Sequence, residues 1–394
     1  MTTRRHPVRR GAASLVAALA VLAVLATMAG PAQAAPAPGT GTPLTVMTRN
    51  LYLGGDITRP LAATAGKTGL AALVAFGLAN HELRAIVDQT DFPARSKLLA
   101  REIAANEPDL VGLQEVAMWR HGPLELGQVG VANAETVDYD FLQTLLGDLA
   151  ALGEPYVAVN VQQESDVEGP AFSSFNPFTG EITDGRDVRL TMRDVLLKRA
   201  DDRMKVLASG GAQYTHRLDF GLAGVTFSFI RGYNWADVRV GAKSVRVVNT
   251  HLESQSSDLA LLQAMELVAG PGKPGARPVI VVCDCNSDPL NHSVKPTDPG
   301  GTPHSGPYDF LTGPGGLTDE WLRFAPADQG FTSGFSETVN DPDTSSIDHR
   351  IDMVFARPAM PVVWGRIVGT DPANRSPGGL WPSDHAGVVM RLRP

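Results

Sequence analysis

The sequence predicts an α/β sandwich with mixed sheets, and three observations carry that expectation. Short apolar, β-branched runs with turn residues nearby recur along the chain. Helical stripes lie between some of them. The two kinds of segment interleave irregularly over long connections, and no G-x-G-x-x-G follows a strand, which sets aside a doubly wound dinucleotide fold.

The runs expected as strands are Leu44 to Asn50, Pro108 to Val116, Ser244 to Ser254, Pro278 to Asn286, Ile351 to Ala356 and His385 to Leu392. "VLLKRADD" and "VTFSFIRG" read as further strands. A helix is expected from Ala94, ending at Pro108. Another carries Leu142, Leu145, Leu146, Leu149 and Leu152 on one stripe and stops at Gly153. A third starts at the N-capping serines Ser256 and Ser257 and ends at Gly270. His81 to Asp88, Val161 to Gly185 and Asn291 to Gly316 read as loops. The acids between Glu164 and Asp187 lack calcium-loop spacing and read as solvated. The aromatic run Phe227 to Trp235 reads as sheet core plus a hairpin.

Residues 1–34 place four arginines before an apolar, Ala-rich stretch and an Ala32-Gln33-Ala34 cleavage pattern, the layout of a secretory signal peptide. Residues 35–43 read as a disordered leader, and the length of the rest is compatible with one large two-layer domain or with two small ones. A secreted monomer without a stable membrane span is expected. The signal segment holds four of the 34 basic residues and none of the 42 acids, so the remainder is more acidic than the overall net charge of −8. That balance disfavours a sequence-independent clamp on nucleic acid backbones. It leaves phosphoester chemistry open, because a bound divalent cation supplies positive charge locally.

The two cysteines, Cys283 and Cys285, lie in "VVCDCN". On a strand, residues two apart face the same side of an extended chain, and a bond across one residue would distort it. Two buried thiols facing a helix layer are therefore expected. A zinc site is weaker still, with no other cysteine to complete it. Asp284 and Asn286 would face the opposite side, so the D-x-N pair carries chemistry and the cysteines carry packing.

Other polar residues also fall at strand ends. Asn50 and Glu115 end the first two strands, Asn249 and His251 end the third, and Asp352, Asp384 and His385 open the last two. With antiparallel neighbours, a strand start and a strand end share one edge, so these residues can meet on a single rim. Carboxylates and amides suit Mg²⁺, which keeps several waters. Histidine beside a carboxylate supplies a base near neutral pH.

In this order, "TRNLYLGGD", "DLVGLQEV", "VRVVNTHLES", "VVCDCNSDP", "RIDMVF" and "PSDH" resemble the endonuclease/exonuclease/phosphatase superfamily, the deoxyribonuclease-I-like metal-dependent phosphoesterases, over roughly Leu44 to Pro394. The resemblance implies a single catalytic domain over residues 44–394, a four-layer sandwich of two mixed β-sheets packed face to face and flanked by helices. It implies Glu115 as the principal metal ligand, with Asn50 and Asp384 on the metal side and Asn50 also near phosphate. His251 would donate to a phosphate oxygen, Asp284 would orient water or leaving group, and Asn286 would hold a phosphate oxygen. His385, polarised by Asp352, would be general base or electrostatic partner. Arg193 matches a phosphate-contacting position more loosely. The ion would be Mg²⁺, with Mn²⁺ or Ca²⁺ as alternatives. The family has Gly-Asp-Phe-Asn where this chain has Cys283-Asp284-Cys285-Asn286.

The expected activity is phosphodiester hydrolysis by in-line attack of water. Nucleic acid, a phospholipid or sphingolipid headgroup and a small phosphate ester are the competing substrates. A non-catalytic binding module on the same fold ranks low, because Glu115, Asp352 and His385 are all present. Asp348 and His349 read as loop residues near the site, and His292 and His304 as solvated.

Overall fold

The structure, a computed structural model, describes residues 41–222 and 224–394. The expected signal peptide and most of the leader lie outside these residues. Two large sheets hold fourteen strands. The first contains β1 (Leu44–Asn50), β2 (Leu110–Gln114), β3 (Met118–Pro123), β4 (Thr136–Asp140), β5 (Tyr156–Ala171), β6 (Arg186–Arg199), β13 (Val362–Val368) and β14 (Gly387–Leu392). The second contains β7 (Met204–Gln213), β8 (Gly232–Val240), β9 (Lys243–His251), β10 (Val279–Asp284), β11 (Thr318–Asp319) and β12 (Asp352–Arg357). Their orders are β13-β14-β1-β2-β6-β3-β4, with β5 also on β6, and β11-β12-β10-β9-β8-β7. Each sheet has one parallel pair, β1 with β2 and β9 with β10, among antiparallel neighbours.

Period-two alternation builds the layers. Val46 of β1 and Ile280 and Val282 of β10 fill the space between the sheets. Met47 of β1 faces outward onto the helices Gly69–Gln89 (α2) and Phe92–Asn106 (α3) and the helix Phe141–Ala151 (α4). Val279, Val281 and Cys283 of β10 face the helix Ser257–Ala269 (α5) and the short helix Gly306–Thr312 (α6). Helix, sheet, sheet, helix is the four-layer arrangement expected. A two-turn-or-shorter helix, Arg59–Ala62 (α1), precedes α2, and Glu320–Phe324 (α7) follows α6.

Three segments expected as loops hold regular structure, and in Asn291 to Gly316 it is the short helix α6. His81 to Asp88 is the end of α2, whose Leu83 and Val87 close the outer core. The polar letters of that stretch hid a stripe that only the sheet beneath it makes apolar. Val161 to Ala171 continues β5, which pairs with β6 along its length through two bulges. The α2 helix is long and apolar enough to cross a membrane, but it packs on the sandwich with 44% of its most apolar window buried. The aromatic run divides as expected, into a hairpin (Leu218–Leu222 with Val225–Phe229) and β8.

Candidate functional site

Strand register brings the expected residues together. The parallel pair β1 and β2 sets Asn50 beside Gln114, one residue before Glu115. The parallel pair β9 and β10 sets His251 beside Asp284. Antiparallel pairing sets Asp284 beside Asp352 and brings the start of β14, just after His385, to the end of β1. Gly112 on β2 allows the sheets to approach here, since a Cβ would lie 2.5 Å from Asn249 Oδ1 and Val282 Cγ2. Asn249, expected on the rim, instead bridges the sheets below it, accepting from Gln114 Nε2 (2.6 Å) and donating to the Leu113 carbonyl (3.1 Å).

The floor of the site is a chain of buried polar contacts. Asn50 Nδ2 donates to Asp284 Oδ2 (2.9 Å), which also faces His251 Nε2 (3.4 Å) and His385 Nδ1 (3.8 Å). His385 Nδ1 is hydrogen-bonded to Asp352 Oδ2 at 2.8 Å. Burial pushes the Asp284 carboxyl up, and Asp352 and Glu115 add to that against His385 and the Asn50 hydrogen bond. Burial pushes Asp384 up as well, and Glu115 reinforces it.

Glu115 and Asp384 sit higher, half-buried, in a pocket of about 310 Å³. The Leu53 amide donates to Glu115 Oε2 (2.9 Å). Buried Arg95 on α3 donates to the carbonyls of Leu51, Tyr52 and Pro382, tying the loop after β1 to the loop that carries Asp384. Tyr52 (φ 59°), Glu115 (φ 56°) and Asn286 (φ 44°) all adopt the left-handed region, a conformation costly for side-chain-bearing residues and clustered here at the rim.

The pocket is lined by five acids, Asp56, Glu115, Glu253, Glu337 and Asp384, against one cationic side chain, Arg231. Such an excess of carboxylates around a polar opening fits a hard divalent cation, which needs only one or two of them and keeps waters. Glu115 and Asp384 are the carboxylates that fit. Asn50 Oδ1 accepts from the Tyr52 amide (2.8 Å) and keeps one lone pair. A second group, Asp284, Asp352 and His385, has its ligand atoms within 4.8 Å of one another. There the imidazole proton already bridges to Asp352, which is the geometry of an acid–base dyad, so the open pocket is the better cation site.

Three expectations need correction. Cys283 and Cys285 form a disulfide with Cα atoms 5.2 Å apart. A strand would separate them by roughly 6.7 Å, but β10 ends at Asp284 and the chain contracts into the turn that carries Asn286. The sulfurs do face the helix layer, in the core beside α5. Arg193 does not reach the pocket: its guanidinium donates to the carbonyls of Val116 and Ala117 and to Asp140 Oδ1 (2.7 Å), pinning the turn after Glu115. Glu164 is not a solvated loop residue but 2% exposed on β5. Burial and Asp194 hold its carboxyl well above the usual range, while Arg231 opposes them.

Asn286 donates from Nδ2 to the Leu252 carbonyl (2.9 Å), and its backbone amide donates to Asp284 Oδ1 (3.1 Å), so it shapes the turn around the D-x-N pair. Asp348 and His349 pair with each other on an exposed loop. His292 is exposed as expected, while half-buried His304 accepts from the Asp288 amide.

Arg231 was not foreseen. Its Nη1 donates to His251 Nδ1 (2.9 Å). Burial works against its charge, and Glu253, Glu164, Glu115 and Asp194 outweigh burial. The signal was present in the β8–β9 hairpin. Its turn at Gly241 sets Gly232 opposite His251, which puts the preceding residue, Arg231, beside the imidazole.

The fold and this rim are those of a phosphoester-hydrolysing class of enzymes. The sequence matches the Endonuclease/Exonuclease/phosphatase family over residues 79–385. The chain belongs to that family, whose members hydrolyse phosphoesters. Similar solved structures include family proteins from Bacteroides thetaiotaomicron (16% identity, TM-score 0.50, 89% of this chain and 98% of that one) and Bacteroides vulgatus (18%, 0.50, 89% and 99%). Another is from Beutenbergia cavernae DSM 12333 (21%, 0.49, 89% and 71%). No curated protein matches the sequence.

Proposed function

We propose that the protein is a secreted, divalent-metal-dependent phosphodiesterase that hydrolyses its substrate by in-line attack of water. One observation carries the reading. An open pair of carboxylates, Glu115 and Asp384, stands over a closed chain of acid, amide and imidazole groups running Asn50–Asp284–His251 and Asp352–His385.

A cation held by Glu115 and Asp384, with Asn50 beside them, would neutralise phosphoryl charge and polarise the ester. The protein groups divide the rest. Asp284, buried and fixed by Asn50, is placed to orient water for attack. His251 takes its hydrogen bond from Arg231 on Nδ1, so the neutral ring carries its proton on Nε2, ready to be donated to a phosphoryl oxygen. His385 has its Nδ1 held by Asp352 and its other nitrogen turned towards the Asp384 side. Neutralising Asp384 removes part of the field that keeps this ring protonated, which brings it towards the range of a working base.

The expected ion is Mg²⁺, with Mn²⁺ or Ca²⁺ as alternatives. Export is supported by the N-terminal sequence and by the disulfide, which persists in oxidising compartments. The test is hydrolysis of bis(p-nitrophenyl) phosphate, sphingomyelin and plasmid DNA with Mg²⁺ and with chelator. Activity should vanish on chelation without unfolding. Glu115→Gln should need far more Mg²⁺ for turnover, and an unchanged metal titration would remove Glu115 from the site.

A further inference from the structure

A second cleft opens directly off the catalytic pocket. Thr58, Phe229, Ser254 and Gln255 line both. The second cavity measures about 780 Å³, and its apolar lining comes from Leu61, Leu218, Phe229, Leu259, Pro296 and Pro299. These residues belong to α1, the 218–229 hairpin, α5 and the loop between β10 and α6. Of these only Phe229 also lines the catalytic pocket, and none is among the residues placed in the catalytic machinery.

The polar groups around this cleft are already satisfied. Asp258 accepts from the amides of Gly300 (2.6 Å) and Thr302 (3.1 Å). Lys295 donates to the Ser254 carbonyl. Arg217 pairs with Asp219 (3.2 Å), and Arg59 pairs with Glu337. A polynucleotide would need free cations spaced along its path to match its phosphates, and these three, Lys295, Arg217 and Arg59, are already paired within the protein. An apolar wall needs no such partners, and it gains from each methylene it removes from water.

We propose that this cleft seats an apolar substituent of the scissile phosphodiester, so that the substrate is an alkyl-chain phosphodiester rather than a polynucleotide. The proposal rests on the phosphodiesterase reading of the adjoining pocket and names its substrate class. The phosphate sits over the carboxylate pair, and the chain runs past Phe229 between α1 and the hairpin. Leu61 and Leu218 are specificity residues and touch no reacting atom.

The test uses methyl, butyl and octyl p-nitrophenyl phosphodiesters with Mg²⁺, below their aggregation concentrations, alongside the p-nitrophenyl ester of thymidine 5′-phosphate. kcat/KM should rise at least about tenfold from methyl to butyl, the scale of apolar pocket discrimination. Leu218→Asp and Leu61→Asp lie on half-buried surface positions and should abolish that rise while leaving the methyl ester within about twofold. A flat chain-length series, or a thymidine ester preferred over octyl in wild type and both variants, overturns the proposal. Should no ester be hydrolysed, the phosphodiesterase reading falls by itself. Calorimetric titration of octyl against methyl phosphate then decides the cleft separately. Tighter octyl binding lost in Leu218→Asp supports it, and equal affinities overturn it.

Discussion

His251 and His385 stand on one rim, both buried, and both face the same oxygen of Asp284. Their surroundings drive them in opposite directions. Burial lowers the pKa of His251, and the neighbouring Arg231 and His385 charges lower it further, so the ring is neutral. Burial also works against a charged His385, but Asp352, Asp384 and Asp284 outweigh it and hold its pKa well above the ordinary histidine value. The difference lies in what meets Nδ1. A guanidinium makes one ring an acceptor there, and a carboxylate makes the other a donor. Two histidines with similar burial can thus serve as a neutral hydrogen-bond donor and as a proton store within one small site.

The most severe way to break this contrast is to remove the charged member. His385→Ala should lower kcat by roughly 10²-fold or more, the scale of one acid–base group. Asp352→Asn acts through the same dyad, so the double variant should lose little more than His385→Ala alone. Losses that simply multiply would mean the two residues work independently.

A smaller effect is expected on the neutral side. Arg231→Met removes both the donor to Nδ1 and the positive charge beside the ring. The His251 pKa, followed by NMR, should move up towards the ordinary value, and kcat should fall at least about tenfold, a fraction of what a general acid–base group supplies. Arg231→Lys keeps the charge and should recover part of both. An unmoved His251 titration would show that burial alone keeps the ring neutral.

The disulfide lies next to the residue that both histidines share. Thiol counting on the denatured, unreduced protein should find no free cysteine, and two free thiols would contradict the bond. In the double variant Cys283→Ala/Cys285→Ala, trimming two buried side chains should cost on the order of 1 kcal/mol each. The turn holding Asn286 should also loosen, with kcat falling a few-fold. Full activity at a temperature where the variant is folded would confine the bond to packing.

The smallest effect concerns the two buried carboxyls that interact with Arg231. Burial raises both Glu164 and Asp194 above the usual carboxylate range. A carboxyl whose folded pKa is raised stabilises the fold fully below its unfolded pKa, and that contribution is lost as pH rises through the folded value. The metal-free protein should therefore lose thermal stability from acid through neutral to alkaline pH. Asp194→Asn should flatten that decline, seen as a smaller fall in Tm across the same range. Equal slopes would show that the pair is not protonated in the fold.

Much of the rim was legible in the sequence because strand alternation is local. A period of two fixes which face Asp284 and Cys283 take, and turn residues mark where Asn50, His251 and Asp352 fall. Antiparallel neighbours then let a strand start and a strand end share an edge, and the family resemblance carried by six short motifs in order implied the four-layer sandwich and the roles at the rim. Only the tertiary structure decided the remainder. It turned the chain after Asp284 and so closed the disulfide. It spent Arg193 on the carbonyls after Glu115 and put Arg231 against His251. It also drew Glu164 out of an apparently solvated acidic stretch into a buried position that interacts with Asp194 and Arg231. The physical reason is common to all four. Strand pattern depends on neighbours along the chain, whereas burial, ring charge and the partner of a guanidinium depend on groups brought together from strands far apart in sequence.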